Sequence, residues 1–238
     1  MLVFRGTDNL PEWKSPVVAV GSFDGVHLGH VRILRFLREQ AARVDGTSVV
    51  LTFDPHPRTV LHPESDFFTI NSLEKNLHLI EQQGIDATVI LPFTMDFSKM
   101  PYRQFIQEVI VGTLHTHTLV MGPNHAFGHQ REGHHDNIKE YCRDCGLQIV
   151  DIPEEMWHSA GVHSAVIRDH IRQHDWSTVN AMLGYPYSKN EECFLKQPRR
   201  GKTREAQLTP HKAEPQCGDE QDPQGGAAVW GRVTRIIK

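Results

Sequence analysis

The chain has 238 residues, a formal net charge of −4 and a hydrophobic fraction of 39%. This length suits one domain with an appendage, and the hydrophobic fraction is sufficient for a buried core. The acidic balance disfavours a dedicated nucleic-acid surface, so a phosphate ligand would have to be bound locally, by placed side chains and backbone N–H groups.

The first ten residues lack the apolar run of a secretory signal, and no apolar stretch is long enough to cross a bilayer. We therefore expect a cytoplasmic protein that binds neither membranes nor nucleic acid. Cys142 and Cys145 form a C-x-x-C without a second pair at zinc-like spacing, which favours two thiols on a helix over a metal site.

Short apolar runs rich in β-branched residues alternate with helical patterns along the first 188 residues. The predicted strands are 16–23, 47–53, 87–91, 118–122 and 147–152. The predicted helices are 30–44, 72–83, 101–114, 135–145, 166–173 and 177–183. This alternation predicts an α/β fold, a Rossmann-like doubly wound parallel sheet covered on both faces. Ligands of such sheets bind beyond the carboxyl ends of the strands, near the switch in strand order.

The composition changes after residue 188. Residues 189–226 are rich in Lys, Arg, Glu, Gln, Pro and Gly and lack periodicity, which is typical of a linker or disordered tail. Residues 227–238 regain a strand-like pattern but are too few for a domain. We expect one domain over 1–188 and a short non-globular tail over 189–238, whose end could add an edge strand or contact a neighbouring chain.

The segment Gly21–His30 (GSFDGVHLGH) joins the first predicted strand to the first predicted helix. Its glycines allow a tight turn and a close approach of the backbone to a ligand. The helix N-terminus beyond it presents unpaired N–H groups and a partial positive charge, which favour an anion. His27 and His30 are three residues apart and fall on one side of that helix, where both imidazoles can donate to a phosphate chain.

This segment resembles the H-x-G-H motif of the α/β phosphodiesterase-like nucleotidyltransferases, and its full form resembles the adenylyltransferase module of bacterial FAD synthetases. Three further segments resemble the same family in order and spacing over residues 14–188. They are LTFDPHPR at 51–58, GPNHAFGHQREG at 122–133 and VHSAVIR at 162–168.

The resemblance implies adenylyl transfer from ATP to FMN, giving FAD and pyrophosphate without a covalent intermediate, with Mg²⁺ bridging the phosphates. The implied catalytic residues are His27 and His30. The implied ATP-binding residues are Gly21, Phe23, Gly25, Gly29, Ser164 and Arg168. The implied FMN-binding residues are Asp54, Pro55, His56, Pro57, Asn124, Phe127 and Arg131.

The chemistry of several of these residues leaves alternatives open. Asp24 could orient its loop or contact the metal through water. Phe127 could stack on the flavin or pack in the core, and Arg131 could hold a phosphate or be a solvated loop residue. The two prolines at 55 and 57 predict an extended, rigid loop that walls a flat ligand.

Two departures from the family pattern affect the expectation. The family's Ser-Ser-Thr is His163-Ser164-Ala165 here, so one or two hydroxyl donors to the nucleotide are missing. Gly184–Ser188 (GYPYS) matches the point where a riboflavin kinase domain begins in the family, but no kinase motif follows, and we expect no kinase activity. The alternatives are a nucleotide- or flavin-binding paralogue with weak or no catalysis, and an adenylyl- or cytidylyltransferase with another phosphate acceptor.

Overall fold

A computed structural model of the chain describes residues 1–122, 126–153 and 162–188. Within these ranges one sheet contains β1 (Leu2–Arg5), β2 (Val17–Val20), β3 (Ser48–Asp54), β4 (Ala87–Pro92), β5 (Thr118–Met121) and β8 (Gln148–Asp151). Its spatial order is β1-β4-β3-β2-β5-β8, and every neighbouring pair is parallel. A two-stranded antiparallel ribbon is formed by β6 (Ala126–Phe127) and β7 (Gly133–His134).

The helices connect the strands and cover the sheet. They are α1 (Leu28–Arg43), α2 (Pro57–Leu61), α3 (Leu73–Gln82), α4 (Tyr102–Gln104), α5 (His135–Asp144), α6 (Ser164–Arg172) and α7 (Trp176–Leu183). A π-helix (Phe105–Thr113) continues α4, and 3₁₀ turns occur at Phe97–Lys99 and His129–Arg131. No helix in the described ranges is long and apolar enough to cross a membrane.

The predicted α/β architecture and all five predicted strands are confirmed. The central strands are buried on both faces, as Val17, Val49 and Leu119 illustrate with no exposed surface, because helices cover both sides of a parallel sheet. The chain adds strands on one side of β2 as far as β4 and then returns to add β5 on its other side. The switch in strand order therefore lies between β2 and β5, and the loops that follow these two strands begin at Gly21 and Gly122.

Three local predictions need correction. The strand β1 was not predicted, because it is a four-residue edge strand with Leu2 and Val3 exposed and its pairing with β4 is not encoded locally. The predicted helix 101–114 is mostly π-helical. Its wider turn brings the carbonyl oxygen of Gln107 close to Gly112, five residues later, where a Cβ would lie 2.9 Å from that oxygen. The third correction is the Pro57 segment, which begins the short helix α2 instead of continuing an extended loop.

The cap of α3, the end of α5 and the state of Cys142 and Cys145 agree with the predictions from the sequence. Ser72 caps α3 by accepting a hydrogen bond from the backbone N–H of Lys75, and Gly146 follows the end of α5 with φ of +72°. Cys142 is buried and Cys145 is exposed, and both are free thiols on or beside α5. Asn124 and the predicted tail 189–238 lie outside the described residues.

Candidate functional site

The loop between β2 and α1 has an unusual backbone. Phe23, Gly25 and Val26 have φ of +44°, +84° and +36°, and the left-handed region costs a non-glycine residue on the order of 1–3 kcal/mol. A side chain at Gly25 would also approach Ile70 to 3.0 Å. Such a conformation persists only where surrounding contacts fix it, so the contacts of this loop determine how it presents its functional groups.

The first fixing contact is the carboxylate of Asp24. It is buried, accepts hydrogen bonds from the backbone N–H of Ile70 at 2.9 and 3.1 Å, and receives a longer one of 3.4 Å from the N–H of Asn71. One of its oxygens lies 2.5 Å from Nη2 of Arg168, on α6. Because donors surround this carboxylate and shield it from water, we propose that Asp24 orients the loop.

The second set of contacts that holds the loop is made by the backbone N–H and carbonyl groups of Gly25. Its N–H donates to Oδ1 of Asn76 at 3.2 Å, and its carbonyl accepts from the hydroxyl of Tyr185 at 2.5 Å. The side-chain amide of Asn71 donates to both Asn76 and Tyr185, at 3.1 and 2.7 Å. The ammonium of buried Lys75 lies over the Tyr185 ring at 5.2 Å.

Sequence reasoning missed this second contact set. A signal was present on α3, where Lys75 and Asn76 occupy the same buried face as Leu79 and Ile80. Polar residues on the apolar face of a helix need internal partners. No local feature of the sequence, however, indicates that the partner of Lys75 is Tyr185.

His27 is the N-cap of α1, and its Nδ1 accepts a hydrogen bond from the backbone N–H of His30 at 3.3 Å. The two imidazole rings stack at 3.8 Å with an interplanar angle of 17°, so the predicted placement of both histidines on one side is confirmed. Burial, with smaller contributions from His163 and Arg168, lowers the pKa of His27 to about 4. The ring is therefore neutral near pH 7, and because Nδ1 accepts, Nε2 carries the proton and is the donor.

Gly29 and Phe23 support this histidine pair. A Cβ at Gly29 would lie 3.0 Å from Cε1 of His27 and 3.3 Å from the carbonyl oxygen of Val162, so glycine is needed for both approaches. Phe23 is buried, and its ring packs against His30 with a centroid distance of 5.3 Å. A Cβ at Gly21 would meet the Phe23 ring at 3.1 Å.

The N-terminus of α6 lies against the same loop. The hydroxyl of Ser164 donates to the carbonyl oxygen of Asp24 at 3.0 Å, and Val162 approaches the first turn of α1. Two helix N-termini thus meet beside the β2 loop, and both favour an anion. Ala165 is exposed at the first turn of α6, and His163 is the exposed N-cap residue, which makes no side-chain capping bond.

Arg168 is more constrained than the sequence indicates. Its Nε donates to the carbonyl oxygen of Phe68 at 2.8 Å, its Nη2 pairs with Asp24, and its guanidinium carbon lies 4.3 Å from the centroid of Phe67. The predicted spacing of Ser164 and Arg168 at a helix N-terminus is confirmed. Two of the three nitrogens of the guanidinium group already have protein partners, and the same group lines a cavity beside Ala165.

The loop after β3 contributes His56 and Pro57. His56 caps α2, with its Nδ1 accepting from the backbone N–H of Arg58 at 3.1 Å, and its ring lies 4.7 Å from that of Phe67. Burial is the largest cause that lowers the pKa of His56 to about 4. Asp54 and Pro55 are exposed at the end of β3, and Asp54 is 3.7 Å from Arg5.

A row of phenylalanine rings connects the loops after β3 and β5. Phe127 packs against Phe105 at 5.5 Å, Phe105 against Phe97 at 6.0 Å, and Phe97 against Phe53 at 5.9 Å and Phe93 at 5.5 Å. We refer to these five residues as the aromatic row. Phe53 directly precedes Asp54. The row therefore joins the segment after β3 to the segment of Phe127, and the resemblance implies that both segments bind FMN.

The exposed Arg131 lies in the 3₁₀ turn between β6 and β7 with φ of +60°. The described residues offer no metal centre, because they contain no group of three or more His, Cys, Asp or Glu side chains that could hold an ion. Asp24 is enclosed by its own donors. No step below depends on a metal ion.

Comparisons with known proteins bear on the family and the fold of the chain. The family model for FAD synthetase matches residues 10–166. The bifunctional riboflavin kinase/FMN adenylyltransferase of Listeria monocytogenes is 29% identical over 195 residues, which are 81% of this chain and 61% of that protein. The protein of the same name from Pseudomonas fluorescens is 29% identical over 79% of this chain and 60% of its own length.

The chain thus spans about 61% of the length of the curated relatives that it matches. Among solved structures, a protein described as a macrolide-efflux protein from Streptococcus pneumoniae superimposes with a TM-score of 0.67 at 20% identity, over 79% of this chain and 61% of its own. At this identity the likeness supports the fold alone.

Proposed function

The chain belongs to the FAD synthetase family, and we propose that it transfers the AMP group of ATP to FMN, giving FAD and pyrophosphate. The observation that carries this proposal is the stacked pair His27 and His30 at the N-terminus of α1. The pair lies directly beyond β2, next to the switch in strand order, where sheets of this kind bind nucleotides.

The proposed reaction is an in-line displacement at the α-phosphorus of ATP. An oxygen of the FMN phosphate forms the new P–O bond, and the bond from the α-phosphorus to the bridging oxygen of pyrophosphate breaks. The nucleophile is already an anion, so no covalent enzyme intermediate and no general base are required. Catalysis then consists of positioning and of stabilising the charge that develops on the transferring and leaving oxygens.

His27 and His30 are the proposed catalytic residues. The Nε2–H of neutral His27 donates to a phosphate oxygen, and the N–H groups of the first turn of α1 add their partial positive charge. Ser164 and Arg168, at the start of α6, bind the leaving pyrophosphate. Gly21, Phe23, Gly25 and Gly29 act by shaping the loop around the two imidazoles.

The proposed site for the flavin is the edge between the β3 and β5 loops. Support comes from the aromatic row, which offers ring faces and edges for stacking, and from His56 and Pro57 at the start of α2. Phe127 is the predicted FMN residue within the row. Asp54 and Pro55 directly follow Phe53, and Arg131 is exposed in the turn between β6 and β7. Asn124 stays a predicted FMN ligand.

The direct test is FAD formation from FMN and ATP, supplied as its Mg²⁺ salt, with pyrophosphate measured in parallel. We expect stoichiometric FAD and pyrophosphate, and an acceptor screen that ranks FMN above other phosphate monoesters. A different preferred acceptor would support the alternative adenylyl- or cytidylyltransferase. Tight FMN or ATP binding without product would support the non-catalytic paralogue, for which the missing hydroxyl at Ala165 is the specific observation.

Variants of the histidine pair test the mechanism. We expect His30→Ala and His27→Ala to lower kcat by about 10²–10³-fold, the typical cost of removing one transition-state donor, with a smaller change in ATP affinity. The matched control is His78→Ala, an exposed histidine on α3. Undiminished turnover in both site variants would contradict the assigned roles.

A further inference from the structure

The ribbon that carries Phe127 runs directly into α5. Its second strand, β7, ends at His134, and α5 begins with the next residue, His135. His134 is the N-cap residue of that helix but makes no side-chain capping bond. The start of α5, and with it the end of the ribbon, is therefore held in place by contacts other than a local cap.

Asp151, the last residue of β8, makes these contacts. Its Oδ1 accepts a hydrogen bond of 2.8 Å from Nε2 of His135, which must carry the proton because a carboxylate only accepts. Its Oδ2 accepts a bond of 2.6 Å from Nζ of Lys139, one turn further along α5. The other ring nitrogen of His135 lies 3.4 Å from Asp136.

Both oxygens of the Asp151 carboxylate thus bind α5. Partial burial raises the pKa of Asp151, but the hydrogen bonds from Lys139 and His135 outweigh it and lower the pKa below its usual value. Charge-assisted hydrogen bonds are roughly twice as strong as neutral ones. Because the side chain of Asp151 is 45% exposed, solvent weakens this group of bonds without removing it.

The strand register shows what these bonds connect. Asp151 is the direct partner of Met121, the last residue of β5. The chain leaves the sheet after Met121, forms the ribbon, and reaches Asp151 through His135. The carboxylate therefore joins the two ends of the segment between β5 and α5, at neighbouring positions on adjacent strands.

The far end of the ribbon rests on Tyr102. A Cβ at Gly128 or at Gly133 would collide with Tyr102, and Oε1 of Glu132 accepts a hydrogen bond from the N–H of Tyr102 at 3.1 Å. Phe127 pairs with Gly133 across the ribbon, so it lies between this attachment and the one at Asp151. A two-stranded ribbon is at best marginally stable by itself, and its position depends on these two attachments.

We propose that Asp151 is a positioning residue for the flavin, which holds the start of α5 and thereby sets where the ribbon presents Phe127. The inference rests on the proposed function, because it takes Phe127 as a contact of the FMN ring. It assigns to Asp151 an effect on FMN affinity and leaves the chemical step to His27 and His30.

The test is the affinity for FMN, measured without ATP by the quenching of flavin fluorescence, so that no turnover is needed. We expect Asp151→Ala to raise the Kd for FMN by about five-fold, the upper size for a partly exposed group of ion pairs. Asp151→Asn keeps an acceptor for His135, and Lys139→Met removes only one of the two donors. Each should raise the Kd by only about two-fold.

Two further readouts separate positioning from a general loss of structure. The Kd for ATP, and kcat at saturating FMN and ATP, should stay close to the wild-type values in all three variants. The matched control is Asp144→Ala, which removes an exposed carboxylate from the other end of α5 and should change none of these quantities. If Asp151→Ala does not fold, Asp151→Asn and Lys139→Met carry the same comparison.

Several outcomes would overturn the inference: an FMN affinity that the variants do not change, an equal loss in Asp144→Ala, or an equal loss of ATP affinity. FAD formation by the wild-type chain with any of these results would leave the proposed function intact. The expected pattern of FMN affinities without FAD formation would overturn the proposed function and support the positioning role alone. A wild-type chain that does not bind FMN would overturn both.

Discussion

His27 combines two functions in one imidazole. Its Nδ1 caps the helix that carries His30, and its Nε2 is left as a donor toward the proposed phosphate. Both functions require the neutral ring, because a protonated Nδ1 cannot accept the capping bond. Burial favours that neutral form and lowers the pKa of His27 to about 4.

This lowered pKa predicts a pH-dependent stability. As the pH falls, an unfolded histidine with a pKa near 6.5 takes up a proton at a higher pH than folded His27 does. The free energy of unfolding contributed by His27 is therefore fully present above pH 6.5 and is lost as the pH falls toward 4. At pH 5 the loss from His27 alone is expected to be about 2 kcal/mol.

Urea unfolding at pH 7.5 and pH 5 measures this effect. His27→Asn retains a capping acceptor but does not titrate, so its stability should fall less between the two pH values than that of the wild-type chain. His56, which is a half-buried cap with a lowered pKa, keeps a residual dependence in the variant. His78→Asn is the exposed control; equal pH dependence in all three proteins would contradict the assignment to His27.

At the scale of elements, the β2 loop depends on segments that are distant in sequence. Asp24 connects it to the segment before α3 and to α6, and Gly25 connects it to α3 and to Tyr185, beyond the end of α7. Tyr185 lies outside residues 10–166, the part matched by the family model. That match therefore does not cover one of the residues that hold the strained loop.

Tyr185→Phe tests this positioning role. It removes one hydroxyl that donates to the carbonyl of Gly25 and accepts from Asn71, which should cost about 1 kcal/mol in the placement of the loop. We expect kcat for FAD formation to fall by roughly five-fold with little change in the KM for FMN. Thermal melting should shift by only a few degrees.

Tyr187→Phe is the matched control, because it changes the same segment and keeps the ring. The contacts identified for Tyr187 are stacking on Trp176, the Lys75 ammonium at 5.8 Å from its ring and a backbone N–H bond to Asn180. Equal kinetic effects of the two substitutions would indicate a general packing role for the segment. That outcome would contradict a specific role of the Tyr185 hydroxyl.

At the scale of the whole molecule, the sheet, both helix N-termini and the aromatic row lie within residues 1–188. Residues 189–226 contain few aliphatic side chains with which to offset the entropy of ordering. We therefore predict that truncation after Ser188 leaves thermal melting and FAD formation unchanged. A large fall in melting temperature of the truncated chain would show that the domain boundary lies further along the sequence.

The sequence by itself determined the parallel α/β sheet, five of its six strands and the segments that contain the proposed site. These features are local: β-branched apolar runs, helical periodicity, and glycines and histidines at fixed spacing directly after a strand. The placement of His27 and His30 on one side follows from their three-residue spacing at a helix start, so it too was predictable, whereas the stacking of their rings was not.

Only the tertiary structure decided which side chains hold that site in place. The Asp24–Arg168 pair joins residues 144 positions apart, and the Tyr185–Gly25 bond joins residues 160 positions apart. The pairing of β1 and the neutral state of His27 likewise depend on distant segments and on burial. A one-dimensional pattern records residue types and spacing, whereas these contacts arise from the packing of the sheet, which brings the ends of β2, β3 and β5 together with α6.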